Sequence, residues 1–186
     1  SSSVVSGGIM RSGAGFMAEA GADFDPTGGT LEMTGHTENP NIFCYPGNTL
    51  YNLLINCPEG HTVHYYYNTR IQNKLTIDGG KLECAYHDDS NLELYVGGNW
   101  TNNSGGFIPN MGTVTFNGSE KSQIITDETF YNLSIDKTYN SWDDVNLNPG
   151  LSCMVLNDFT TINGTFNLDD NTTFIVENDV LLGEGS

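Results

Sequence analysis

Val145-Asn-Leu-Asn-Pro-Gly-Leu-Ser-Cys-Met-Val-Leu156 leads through Thr160-Thr-Ile-Asn-Gly164 and Phe166-Asn-Leu168 to Thr172-Thr-Phe-Ile-Val176 and Val180-Leu-Leu182. Apolar or β-branched runs of 3 to 6 residues recur here every 8 to 12 positions, separated by Asn-Pro-Gly, Asn-Gly and Asp-Asp. Gly and Asn tolerate positive φ and end a strand sharply. The connections are too short for the long return of a Greek key. Inward Ile, Leu, Val and Phe at matched places would instead form ladders through successive turns of a winding chain, with Asn and Thr stacking at the corners. The stretch predicts an all-β fold, a right-handed parallel β-solenoid, its hand following from general strand chirality. A β-sandwich is the alternative, because Asn-Gly before a strand is also a hairpin signal.

Upstream, the chain says much of this twice, about 80 residues apart. Phe24-Asp-Pro-Thr-Gly-Gly-Thr-Leu-Glu-Met-Thr-Gly35 returns as Phe107-Ile-Pro-Asn-Met-Gly-Thr-Val-Thr-Phe-Asn-Gly118, and Leu50-Tyr-Asn-Leu-Leu-Ile55 as Phe130-Tyr-Asn-Leu-Ser-Ile135. Leu75-Thr-Ile-Asp-Gly79 answers Thr160-Thr-Ile-Asn-Gly164, and Asn91-Leu-Glu-Leu-Tyr-Val96 answers Asn171-Thr-Thr-Phe-Ile-Val176. Self-similarity at a fixed period points to stacked units that share a continuous core. The division expected is 1–23 as a partial repeat or N-terminal cap, 24–106 as a first repeat and 107–186 as a second, which stops in the phase where the chain began. A window of a tandem array, or a subunit that stacks end to end, would look like this. Helix-forming residues come in sequence only at 15–22, where glycines interrupt them.

The composition narrows the function classes. Six Lys+Arg against 23 Asp+Glu give a formal charge of −17. Such a surface repels phosphate and anionic headgroups, which argues against nucleic acid and acidic membranes and favours cations. No apolar run of 18 or more residues suggests membrane insertion. Cys44, Cys57, Cys84 and Cys153 show no zinc-site spacing. Cys84 and Cys153 read as small buried hydrophobes. Cys44 and Cys57 bracket the Tyr-Asn-Leu-Leu-Ile segment, and in an oxidising compartment they could pair across neighbouring strands.

With these phrases laid out, Gly98-Asn-Trp-Thr-Asn102, Phe107, Gly112-Thr-Val-Thr-Phe-Asn-Gly118, Gln123-Ile124 and Phe130-Tyr-Asn-Leu-Ser-Ile135 resemble the recurring motifs of large secreted bacterial surface proteins built from β-helical repeats. A more diverged copy runs from Phe24 to Ile55. The resemblance implies an extracellular or cell-surface setting and a role as stalk, adhesin or coat component. Cys57-Pro-Glu-Gly-His-Thr-Val-His-Tyr-Tyr-Tyr67 has no close counterpart in the second repeat.

Candidate chemistry is sparse. Asp88-Asp89, Asp143-Asp144 and Asp169-Asp170 fall at turns, where paired carboxylates with carbonyls could supply the oxygen ligands Ca²⁺ prefers, or simply be solvated. No EF-hand loop is present, and no cofactor is required. Tyr65, Tyr67 and Tyr86 could line a glycan or partner surface, Tyr65 and Tyr67 on one side of a strand and Tyr66 on the other. His36, His61, His64 and His87 are confined to the first repeat and read as drift at exposed positions. No nucleophilic constellation has sequence support. The expectation is a non-enzymatic extracellular structural module that assembles with neighbouring copies. The alternatives are a glycan- or surface-binding module and, third, a polysaccharide-cleaving solenoid.

Overall fold

The structure, a computed structural model, describes residues 6–35, 40–84, 91–103, 106–138 and 144–183. In chain order the coils carry β1 (Ser6–Ser12) and β2 (Gly15–Ala18), then β3 (Gly28–Met33) and β4 (Asn41–Cys44), with Leu50 bridging to Ile71 in parallel. The third holds β5 (Asn52–Asn56), β6 (Thr62–Tyr65) and β7 (Thr69–Ile71), and the fourth β8 (Leu75–Gly79), β9 (Lys81–Cys84) and β10 (Glu93–Val96). The fifth has β11 (Trp100–Asn102), β12 (Gly106–Ile108) and β13 (Thr113–Gly118); the sixth has β14 (Ser122–Ile124), β15 (Glu128–Phe130) and β16 (Asn132–Lys137). After them come β17 (Val145–Leu147), β18 (Ser152–Val155) and β19 (Phe159–Asn163), and last β20 (Phe166–Leu168), β21 (Thr173–Val176) and β22 (Val180–Leu182).

Every strand pairing among the described residues is parallel, and the chain winds through about seven turns as a right-handed β-solenoid. The first face is one eight-stranded sheet, β1-β3-β5-β8-β11-β14-β17-β20; the third is six-stranded, β7-β10-β13-β16-β19-β22. The second face is broken into β2-β4-β6-β9-β12 and β15-β18-β21. Trp100 fills the core at the break, edge-on to Phe107 at 4.9 Å and Phe130 at 5.1 Å.

Alternation along each strand builds the interior. Leu31, Leu53, Leu75, Trp100 and Ile124 succeed one another on the first face, and Leu94, Val114, Leu133 and Phe159 on the third. All are buried. Burying such side chains supplies roughly 1.5–3 kcal/mol each, the main driving force of the stack. Corners are tied by asparagine: Asn73 Nδ2 donates to Asn52 Oδ1 at 2.7 Å, Asn157 to Asn132 at 2.8 Å and Asn178 to Asn157 at 3.2 Å, and mid-strand on the first face Asn167 donates to Asn146 at 3.0 Å. Where corners approach closest only glycine fits, since a Cβ on Gly97 would lie 2.0 Å from the Gln72 carbonyl oxygen.

The 80-residue correspondence is not a translation along the axis. Thr30–Met33 lies in the first sheet and its counterpart Thr113–Phe116 in the third; Leu75–Gly79 lies in the first and Thr160–Gly164 reaches the third; Glu93–Val96 lies in the third and Thr173–Val176 in the second. Each copy keeps its strand and turns but moves round to another face.

Candidate functional site

The sequence-derived candidates do not converge. Asp88, Asp89, Asp143, Tyr86, His36 and His87 lie outside the described residues. Asp144 is half-buried before β17, while Asp169 and Asp170 are exposed in the turn after β20. There the Asp169 carbonyl accepts from the Thr172 hydroxyl at 2.8 Å. Among the described residues no three His, Cys, Asp or Glu side chains are grouped as metal ligands.

Tyr65 is core, which corrects its reading as a surface residue. Val63 and Tyr65 point inward from β6, and the Tyr65 hydroxyl lies beside the Cys84 thiol, where burial pushes its pKa well up. The strand ends at Tyr65, so Tyr67 does not share its face. Tyr67 is half-buried against Tyr45, ring centroids 4.2 Å apart, and Tyr66 stacks on Phe43 at 4.6 Å. His64 Nδ1 lies 3.0 Å from Glu83. Cys44 and Cys57 are not bridged; both are buried free thiols. The Cys44 side chain points inward from β4, and burial raises its pKa to about 11. Cys57 follows β5 and its thiol donates to the Met33 carbonyl at 3.3 Å.

Two buried polar groups went unnoticed in the sequence. Lys137 is at the inward parity of β16 after Leu133 and Ile135, and that parity was the available signal. Its Nζ donates to the carbonyls of Gly97 (3.0 Å), Asn117 (3.0 Å) and Glu120 (2.7 Å) and to Ser122 Oγ (2.7 Å). Glu128 points inward at the broken second face. It accepts from Trp100 Nε1 at 2.7 Å, Asn102 Nδ2 at 3.0 Å and the Thr129 amide at 2.9 Å. Burial nevertheless raises its pKa, outweighing those donors.

A third feature is a groove of roughly 340 Å³ on the outer side of the third sheet. Its central column, in register strand by strand, is Tyr95, Thr115, Ser134 and Thr160, with Arg70 and Leu181 continuing the same column beyond the groove at either end. Glu93, Thr113 and Asn132 flank it on one side, followed by Asp158, and Asp136 stands on the other. The Arg70 guanidinium lies over the Tyr95 ring, 4.4 Å from its centroid, and the Tyr95 hydroxyl donates to Glu93. Burial, then the Glu93 carboxylate, pushes the Tyr95 pKa up to about 12 against the opposing Arg70 charge.

Strand spacing of ~4.8 Å and a rise of ~3.3 Å per residue place the backbone positions of Glu93, Asp136 and Asp158 about 14 Å or more from one another.

No family model, curated protein or solved structure matches the chain.

Proposed function

We propose that this chain is a non-enzymatic structural module of a bacterial-type cell-surface fibre, stalk or coat, extended by stacking further coils on its terminal ones. One observation carries the reading. In the last coil Phe166, Leu168, Phe174, Val176, Val180 and Leu182 sit in register with the buried Val145, Leu147, Cys153, Val155, Phe159 and Thr161. The pattern is that of an interior coil, yet Leu168 is 51% exposed, Val180 53% and Leu182 67%. Among the described residues the strands of this coil also present one unpaired edge each, which stacking proteins use and capped ones hide. At the other end Met10 is exposed in register with buried Leu31. The resemblance of the repeated phrases to surface arrays supports the extracellular setting.

Light scattering after size exclusion, with electron microscopy, tests the proposal. The mass should rise with concentration and end-to-end strings should form, while Leu168→Lys with Leu182→Lys should remain monomeric. Wild-type chain that stays monomeric at every concentration would overturn assembly with neighbouring copies.

A further inference from the structure

We propose that the groove on the outer side of the third sheet binds an oligosaccharide of amino sugars, running across the strands along the solenoid axis. The site is on the flank of the stack and is independent of end-to-end assembly.

The floor carries the argument. Thr115 and Ser134 face outward into this groove, yet they are only 5% and 8% exposed. Neither hydroxyl has a hydrogen-bond partner among the described residues, although each can both donate and accept. Their oxygens are open to the groove, so two adjacent unpartnered hydroxyls there offer both donors and acceptors to a ligand's polar groups. Thr160 extends the row by one rung, giving hydroxyls at a spacing of ~4.8 Å. A polyhydroxylated chain, whose own hydroxyls both donate and accept, matches such a row.

The walls set the charge of the ligand. Asp136 Oδ1 accepts from Asn163 Nδ2 at 2.9 Å, and Asp158 Oδ1 from Asn178 Nδ2 at 2.8 Å and the Asp179 amide at 3.4 Å. The other carboxylate oxygen of each has no hydrogen-bond partner among the described residues, and neither group forms an ion pair there. Glu93 adds a third carboxylate at the Tyr95 end. Arg70 is spent on the Tyr95 ring. Uronic or sulfated sugars would meet repulsion on a chain of charge −17, whereas ammonium groups would find charge-assisted acceptors.

Calorimetric titration of the full chain with a β-linked glucosamine hexamer, and with its fully N-acetylated counterpart, tests this. The glucosamine hexamer should bind, and the acetylated one should bind at least about tenfold more weakly. Thr115→Val with Ser134→Ala keeps the shape and removes the hydroxyls; Asp158→Asn removes one charge. Each should weaken binding by about tenfold or more with the circular dichroism spectrum unchanged. Asp169→Asn with Asp170→Asn, far along the last coil, should leave it unaltered. Absence of binding, equal binding of the acetylated hexamer, or equal losses in the groove and distal variants would each overturn the assignment.

Discussion

Strands β5 and β16 carry nearly the same sequence, Tyr51-Asn-Leu-Leu-Ile-Asn-Cys57 and Tyr131-Asn-Leu-Ser-Ile-Asp-Lys137, on different faces of the solenoid. Their local structures agree closely. The asparagine stacks at a corner in both, the following Leu and Ile point inward, and the ladder slips by one residue after Ile55 and after Ile135. What differs is what fills the slip and what faces out. Cys57 answers one carbonyl with a thiol, while Lys137 answers three with an ammonium. Leu54 is half-buried on the first face, and its counterpart Ser134 is on the groove floor. A shared phrase therefore encodes a strand with its corner and its bulge, and leaves the face to the loops around it.

The largest expected effect breaks the two bulges. Lys137→Ala leaves buried carbonyls without a donor and should cost about 3–5 kcal/mol in urea unfolding. Cys57→Ala should cost only about 1 kcal/mol, the loss of a weak thiol bond and a small side chain. Equal losses would mean that the bulge itself, rather than its filling, governs stability.

The corner asparagines should behave alike. Asn52 donates to the Gly29 carbonyl at 2.7 Å and accepts from Asn73, and Asn132 donates to Thr113 Oγ1 at 3.3 Å and accepts from Asn157 and the Asp158 amide. Asn52→Ala and Asn132→Ala should each lower stability by about 1–3 kcal/mol by the same assay. A loss confined to one of them would show that the shared phrase does not carry a shared ladder.

The smallest effect separates two buried glutamates by the sign of their pH dependence. Bonds from Asn56 and Arg11 lower the pKa of Glu32 below its ordinary 4.5, so its contribution is present above that pH and lost as pH falls through the folded value. Glu128 is raised, so its contribution is complete below pH 4.5 and lost as pH rises through its folded pKa. Stability followed from pH 3 to 7 (about the range both groups titrate over) should lose its rising limb in Glu32→Gln and its falling limb in Glu128→Gln. Identical profiles for both variants would refute these opposed environments.

Much of the fold was legible because strand parity is local. Leu133 and Ile135 alternate with polar neighbours, and glycine or asparagine marks each turn. The same parity rule misplaced Tyr67, because β6 ends at Tyr65 and alternation stops with the strand. The pairing of Cys44 with Cys57 rested on their bracketing one strand, but their partners are set by register between coils. The groove was not legible at all. Its hydroxyls come from β13, β16 and β19, and only the stacking of those coils makes Thr115, Ser134 and Thr160 neighbours.

By itself, then, the sequence determined an all-β chain of short parallel strands with apolar ladders and asparagine corners, since these follow from side-chain alternation and backbone preference within a few residues. The tertiary structure alone decided which face each strand joins, the break in the second face, the carbonyl cage around Lys137 and the groove on the third sheet. Those depend on contacts between residues about one turn of chain apart, whose register is the sum of many loop lengths and is written in no single motif.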